Sequence, residues 1–144
     1  MRSLLKSLCL CGVFVAPFIS LPVKAQACEI ALVLAFDASS SVNSSEYELQ
    51  LEGTADALLS DEVTNAILGL NGVYLTAFEW SGHANQSMLF NWTYLDDKED
   101  IELVADKIVN HERNDENSAT ALGEALIYSY NLLQQLDEPC FRKV

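Results

Sequence analysis

The apolar run from Ile30 to Phe36, which ends abruptly at Asp37, constrains the fold more than any other feature of the sequence. Seven consecutive apolar residues are typical of a strand that is buried on both faces, as at the centre of a parallel sheet. The run is followed by Asp-Ala-Ser-Ser-Ser, so one carboxylate and several hydroxyls come together in one loop at residues 37–41. In open α/β sheets, ligands collect beyond the carboxyl ends of the strands, where the loops open a crevice. The pattern therefore predicts an α/β fold with a ligand loop at this position.

The side-chain oxygens of Asp37, Ser39 and Ser41 lie on alternate residues of this loop and could converge on a cation. Mg²⁺ prefers octahedral oxygen coordination at about 2.0 to 2.1 Å and keeps several waters, which suits one carboxylate and a few neutral hydroxyls. The alternative is an ordinary strand-to-helix turn, because Asp and Ser are common in turns and at helix N-caps. The spacing alone does not separate these two interpretations.

Two motifs in the chain resemble those of a known family. The strand with its Asp-x-Ser-x-Ser loop resembles the first motif of the metal-ion-dependent adhesion site (MIDAS) of von Willebrand factor type A domains. The segment Thr120-Ala121-Leu122-Gly123-Glu124-Ala125-Leu126 resembles the family's Thr-x-x-Gly-x-Ala-Leu motif, in which the threonine is the next metal ligand. With residues 46–50 and 79–82, these motifs are similar to a group of exported bacterial type A domain proteins of unassigned function. The resemblance runs from about Cys28 to the end of the chain.

The resemblance implies a particular set of metal ligands. Ser39, Ser41 and Thr120 would bind Mg²⁺ or Mn²⁺ directly, and Asp37 would bind it directly or through water. A carboxylate from an unknown protein ligand would complete the coordination shell. The chain would then be an exported, metal-dependent binding module without catalytic activity.

The resemblance also predicts the fold and its extent. The expected architecture is α/β, a Rossmann-like doubly wound, mostly parallel sheet with helices on both faces, in one partial domain at residues 28–144. In the family, the strand that begins near Phe141 leads to a further aspartate of the metal site, whereas this sequence stops at Val144. The sequence is therefore expected to hold about the first two-thirds of a type A domain, as a fragment or a truncated frame. We expect it to bind the metal weakly.

Two other functions remain open at the level of sequence. Asp37 could be the nucleophile of a hydrolase, because some phosphatases also use an aspartate at the end of a strand. Those enzymes need a second acid two residues later to protonate the leaving group, and here that residue is Ser39. The sequence contains no Gly-x-Ser-x-Gly, Walker or glycine-rich nucleotide motif that would favour another enzyme class. An inactive remnant is the remaining alternative.

Residues 1–27 have the pattern of a signal peptide. Arg2 and Lys6 precede an apolar stretch, and an Ala-x-Ala cleavage site ends at Ala27. An uncleaved anchor or a lipoprotein signal is the alternative. The leader holds three of the eight basic residues and none of the 21 acidic ones, so the mature chain has five basic residues and a net charge of −16. Such a surface repels nucleic acid and anionic membranes, and the expected location is secreted or periplasmic, with no membrane span after cleavage.

The mature chain keeps two of the four cysteines, Cys28 and Cys140, because Cys9 and Cys11 lie in the leader. Cys28 directly precedes the first strand, and Cys140 precedes a segment that has the pattern of a further strand. In a doubly wound sheet with strand order 3-2-1-4, these two strands are neighbours. The two cysteines would then lie at the same edge of the sheet, so we predict a disulfide between them, as is typical of an oxidising compartment.

The rest of the chain alternates between helical and strand periodicity. Asn43 and Glu46 have the spacing of a capping box, which predicts a helix that continues to about residue 60. Further helices are predicted over residues 61–68, 96–110 and 122–136, and strands over residues 73–80 and 87–94. His83 and His111 have no accompanying ligand motif, so they are interpreted as a surface residue and a loop residue.

Overall fold

Strands and helices alternate along the part of the chain that the structure describes. The computed structural model describes residues 28–114 and 119–144, and the signal peptide predicted for residues 1–27 lies outside them. The elements in chain order are β1 (Ile30–Asp37), α1 (Ser44–Leu59), α2 (Asp61–Leu68), β2 (Val73–Trp80), β3 (Gln86–Leu95), α3 (Lys98–Val109), α4 (Leu122–Gln135) and β4 (Arg142–Lys143). The predicted capping box at the start of α1 is confirmed, because Asn43 and Glu46 bond to each other's backbone N–H groups at 3.0 and 2.9 Å.

The four strands form one mixed sheet in the order β3-β2-β1-β4. β1 pairs in parallel with both β2 and β4, and β3 pairs antiparallel with β2 at the edge. This arrangement confirms the predicted mostly parallel α/β sheet and the predicted neighbourhood of the first and last strands. The register of β1 on β2 runs from Ile30 opposite Val73 to Asp37 opposite Trp80, so the two central strands end side by side.

Helices cover both faces of the sheet, as the doubly wound arrangement predicts. Alternate residues of a strand point to opposite faces, and β2 contributes Leu75 to one layer and Phe78 to the other. The layer on the Leu75 side contains buried residues of α1 and α3: Tyr47, Leu51, Ala55, Leu58, Ile101, Val104, Ala105 and Ile108. The layer on the Phe78 side is smaller and is closed by Ala125, Tyr128 and Leu132 of α4. α4 is thus the helix that lies alone against its face within the described residues.

α4 forms from the predicted apolar series, but much of that series faces outward. Within this helix only Ala125 is buried. Leu122, Leu126, Ile127 and Tyr130 are each more than half exposed. Across the ranges that the structure describes, no helix is both long enough and apolar enough to cross a membrane.

The predicted disulfide between Cys28 and Cys140 is confirmed. The two Cα atoms lie 4.5 Å apart, across a sequence separation of 112 residues. Backbone bonds from Phe141 N–H to the carbonyl of Cys28 and from Arg142 N–H to the carbonyl of Glu29 continue the connection into β4. The disulfide therefore fastens the C-terminal segment to the start of β1, at the end of the sheet opposite the ligand loop.

Candidate functional site

The ligand loop, residues 37–42, lies where β1 and β2 end, and the start of α4 is attached beside it. The Ala38 N–H donates to the carbonyl of Trp80 at 2.8 Å, which holds the loop against the end of β2. The Ala121 N–H donates to the carbonyl of Ser81 at 3.0 Å, and no side chain caps α4. Because these two bonds attach to consecutive residues of the β2 end, they bring Thr120 close to the loop.

Three of the four residues predicted as metal ligands form a compact group, which we call the hydroxyl triangle: Ser39, Ser41 and Thr120. The hydroxyl oxygens of Ser39 and Ser41 are 3.1 Å apart, those of Ser39 and Thr120 are 3.1 Å apart, and those of Ser41 and Thr120 are 3.4 Å apart. Ser39 is fully buried, whereas Ser41 and Thr120 are exposed. The triangle therefore closes inward on Ser39 and opens to solvent on its other two corners.

The edge lengths of the triangle resemble those of a coordination shell more than those of hydroxyl hydrogen bonds. Hydroxyl pairs prefer an oxygen separation of about 2.7 to 2.8 Å. Neighbouring ligands in an octahedron of radius about 2.0 to 2.1 Å are roughly 2.8 to 3.0 Å apart. Two edges of 3.1 Å and one of 3.4 Å are closer to the second spacing. These three oxygens could thus hold one face of an octahedral cation.

Asp37, the fourth predicted ligand, is fixed in place by two sets of contacts. One oxygen of its carboxylate accepts a hydrogen bond of 2.8 Å from the Ser39 N–H, which joins the predicted carboxylate to the triangle's buried corner. The side-chain amide of Gln50 binds the backbone of Asp37 at both of its polar groups, at 3.2 Å to the N–H and 3.0 Å to the carbonyl. Gln50 is on α1, so the helix that follows the loop also holds its first residue.

The donor set of the site favours a hard cation over a soft one. One carboxylate and three hydroxyls are oxygen ligands of the kind that Mg²⁺ and Mn²⁺ take. Within the described ranges, no group of three or more His, Cys, Asp or Glu side chains is arranged to hold a metal. Any cation bound by this part of the chain at the triangle would therefore rely on neutral hydroxyls together with Asp37.

Arg113 contacts the ligand loop and was not found by sequence reasoning. One terminal nitrogen of its guanidinium donates to the carbonyl oxygens of Ala38, Ser39 and Val42, at 2.8, 2.9 and 2.9 Å. In the sequence, Arg113 is one polar residue in a loop of mixed charge, and nothing in that local pattern points to the contact. A single long side chain that reaches across more than 70 residues leaves no periodic signal.

Glu79, in the quoted segment at the end of β2, is the centre of a buried polar network beside the loop. Its carboxylate is almost fully buried and accepts bonds from the Tyr47 hydroxyl at 2.7 Å and from the Asn114 N–H at 3.0 Å. His111 Nε2 lies 3.1 Å from the same carboxylate. Burial raises the pKa of the Tyr47 hydroxyl well above its usual value, and the hydrogen bond and negative charge of Glu79 raise it further. His111 is a loop residue, as predicted, but its side chain points inward.

A small polar cavity lies next to this network. Its volume is about 230 Å³, and its lining includes Ala38, Trp80, Ser81, Ser87 and Asn114. His83 is on the outer side of the same region, where its side chain is 83% exposed and pairs with Glu124 at 2.9 Å. This position agrees with its interpretation as a surface residue.

Comparison with known proteins adds one match. A family model with the description "Protein of unknown function (DUF1194)" matches residues 27–144. This range includes every described element, the ligand loop and Thr120. A search among curated proteins finds no match.

Proposed function

The chain belongs to the DUF1194 family of proteins of unknown function, and we propose that it is an exported, non-catalytic binding module of the von Willebrand factor type A kind. In this proposal it binds Mg²⁺ or Mn²⁺ through Ser39, Ser41, Thr120 and Asp37 and, through the cation, a carboxylate of a protein ligand. The single observation that carries the proposal is the hydroxyl triangle, because residues from two loops 79 or more positions apart meet with the spacing of octahedral ligands.

Each residue has a separate task in this proposal. Ser39, Ser41 and Thr120 would hold the ion with hydroxyl oxygens, and Asp37 would supply the negative charge. A bound divalent cation would supply positive charge for an anionic ligand. Since Asp37 is the one carboxylate among the four proposed ligands, it cannot cancel a charge of +2, which leaves the site attractive to a further carboxylate. The same shortage of negative charge is why we expect the metal affinity to be weak.

The proposed location rests on the disulfide and the charge. Disulfides persist in oxidising compartments, and the bond between Cys28 and Cys140 joins the two ends of the described chain. The family match begins at residue 27, beside the proposed cleavage site. We therefore propose a secreted or periplasmic protein whose acidic surface disfavours nucleic acid and anionic membranes as partners.

The choice of binding over catalysis rests on the residue beside Asp37. An aspartate nucleophile of the phosphatase type needs an acid two residues later, and Ser39 has a hydroxyl that faces the triangle instead. One oxygen of Asp37 is also engaged by the Ser39 N–H. Turnover of a phosphate monoester that disappears in Asp37→Asn would contradict this choice and favour a hydrolase.

The central test is calorimetric titration of the oxidised protein with Mg²⁺ and Mn²⁺. Asp37→Ala and Ser39→Ala should each weaken binding about tenfold or more, the equivalent of about 1.4 kcal/mol. Ser40→Ala is the matched control, because Ser40 is in the same loop but outside the triangle, and it should bind like the wild type. If the folded wild-type protein takes up neither ion, the proposal is wrong.

The proposed ligand chemistry is tested on the Mn²⁺-loaded protein. N-acetylglutamate should displace metal-bound water and lower the water-proton relaxation rate, whereas neutral N-acetylglutamine should not. Equal responses to the two compounds would show that the site does not select a carboxylate.

A further inference from the structure

Arg113 joins the ligand loop to the opposite side of the site at three points. Its terminal nitrogen donates to carbonyl oxygens of Ala38, Ser39 and Val42, all at 2.8 to 2.9 Å. These carbonyls cover most of the loop between the end of β1 and the start of α1. One guanidinium therefore sets the direction of several consecutive peptide groups.

Arg113 is itself held firmly from both sides. Its neighbours His111 and Asn114 both contact the buried carboxylate of Glu79. The guanidinium carbon lies 5.2 Å from the centre of the Tyr47 ring, and the Tyr47 hydroxyl also donates to Glu79. A planar guanidinium stacked on an aromatic ring, with its flanking residues anchored, keeps little freedom to move.

The orientation of Arg113 agrees with a role directed at the loop carbonyls. Its Nε is buried and has no hydrogen-bond partner within the described residues. Leaving a buried donor unpaired costs free energy, so the contacts of the terminal nitrogen must outweigh that cost. Bonds from a charged donor are stronger than neutral ones, and here three of them converge on one stretch of backbone.

The loop needs such support because its own residues supply little. Ala38, Ser39, Ser40 and Ser41 have small side chains, and ordering each of them costs conformational entropy that few apolar contacts offset. We propose that Arg113 is a positioning residue, which orders the ligand loop so that the Ser39 and Ser41 hydroxyls face Thr120 before any cation is present. Preorganisation of this kind raises affinity because binding no longer has to order the loop.

A competing effect has the opposite sign. The positive charge of Arg113 repels a divalent cation, so removal of that charge would strengthen binding if charge were the dominant effect. Arg113→Lys separates the two effects. Lysine keeps the charge, but its shorter side chain places the ammonium short of the three carbonyls and lacks the planar group that stacks on Tyr47.

The first experiment does not involve metal. Amide hydrogen exchange is compared between the wild type, Arg113→Met and the matched control Arg142→Met, in which the replaced arginine is exposed. The amides of Ser39 and Val42 should exchange at least about tenfold faster in Arg113→Met, with the Phe78 amide of the core unchanged. Unchanged exchange in the loop would overturn the proposal.

A global loss of protection in Arg113→Met would move the decision to Arg113→Lys. Fast exchange limited to the loop of the lysine variant supports the positioning role. Protection throughout that variant, or loss of protection throughout, overturns it, since Arg113 would then act through charge or through general stability.

The second experiment measures Mn²⁺ affinity and rests on the proposed function. Both Arg113→Met and Arg113→Lys should bind Mn²⁺ about tenfold more weakly than the wild type, while Arg142→Met should not differ. Tighter binding by Arg113→Met, or wild-type affinity in Arg113→Lys, would overturn the positioning role. A wild-type protein that binds no Mn²⁺ would remove the proposed function, and the exchange experiment would still decide the role of Arg113.

Discussion

At the scale of single residues, Glu79 shows how a charge can be kept inside this protein. A buried carboxylate is costly unless its oxygens are satisfied. Glu79 receives the Tyr47 hydroxyl and the Asn114 N–H and contacts His111. These partners come from α1 and from the loop after α3, so the carboxylate joins two parts of the site that are distant in sequence. Loss of any one partner would leave a buried polar group with fewer bonds.

Tyr47 provides a prediction at alkaline pH. Its folded-state pKa is raised above the unfolded value of about 10, first by burial and then by Glu79. Above that value the unfolded chain loses the proton while the folded protein keeps it. The free energy of unfolding should therefore fall as pH rises above about 10, by up to about 1.4 kcal/mol per pH unit from this group.

The measurement is urea denaturation from pH 8 to pH 11. Tyr47→Phe should be less stable at pH 8, because Glu79 loses a donor, at a cost of about 1 to 3 kcal/mol. Its stability should then decline less steeply with pH than that of the wild type. Tyr130→Phe, at an exposed position, is the control. Parallel slopes in the wild type and Tyr47→Phe would contradict the assignment.

At the scale of elements, the start of α1 forms the far boundary of the ligand loop. The capping box of Asn43 and Glu46 satisfies backbone donors at the helix N-terminus that would otherwise lack partners. Val42, the last loop residue, precedes the cap directly, and its carbonyl also binds Arg113. The cap and the arginine therefore act on adjacent residues.

Asn43→Ala should destabilise the protein by about 1 kcal/mol through the loss of this cap. Chemical denaturation monitored by circular dichroism measures the change. Ser45→Ala, in the same exposed first turn, should change stability by less than about 0.5 kcal/mol. Equal effects of the two substitutions would mean that the capping contact does not contribute to stability.

α4 shows the limit of reasoning from helical periodicity. The apolar spacing correctly predicted a helix, but the packed part of it is narrow: Ala125 is buried against Phe78 and Trp80, while Leu126 is 62% exposed. What α4 contributes to the site depends on where it begins. The bond from Ala121 to the carbonyl of Ser81 sets that position and places Thr120 at the triangle.

At the scale of the whole molecule, the disulfide closes nearly the full described chain into one loop. With 112 residues between Cys28 and Cys140, the chain-entropy relation gives a stabilisation of about 5 kcal/mol by restriction of the unfolded state. Replacing both cysteines with serine should therefore lower the free energy of unfolding by a comparable amount. Urea titration of the oxidised wild type and the double variant measures the difference.

The reduced wild-type protein is the control for this prediction. It should unfold at the same urea concentration as the double serine variant, because both lack the covalent constraint. A difference of less than about 1 kcal/mol between oxidised and reduced protein would show that the bond does not restrict the unfolded chain as the relation requires.

Much of the architecture was predictable because it follows from local patterns. The apolar run of β1, the cap at Asn43 and the alternation of strand and helix depend on neighbouring residues, and periodicity records them directly. The strand order followed from the rules of doubly wound sheets, and the disulfide followed from that order. The meeting of Thr120 with the loop required the family resemblance as well, since no local pattern connects the two.

The sequence by itself determined the class of the fold, the positions of its elements and the residues able to offer oxygen ligands. Only the tertiary structure decided how those ligands are held, through Gln50 on Asp37, Arg113 on the loop carbonyls and Glu79 among its three partners. The physical reason is that helices and strands arise from repeated short-range interactions, whereas each of these contacts is a single event between distant side chains. Its existence depends on the distances that the completed fold sets.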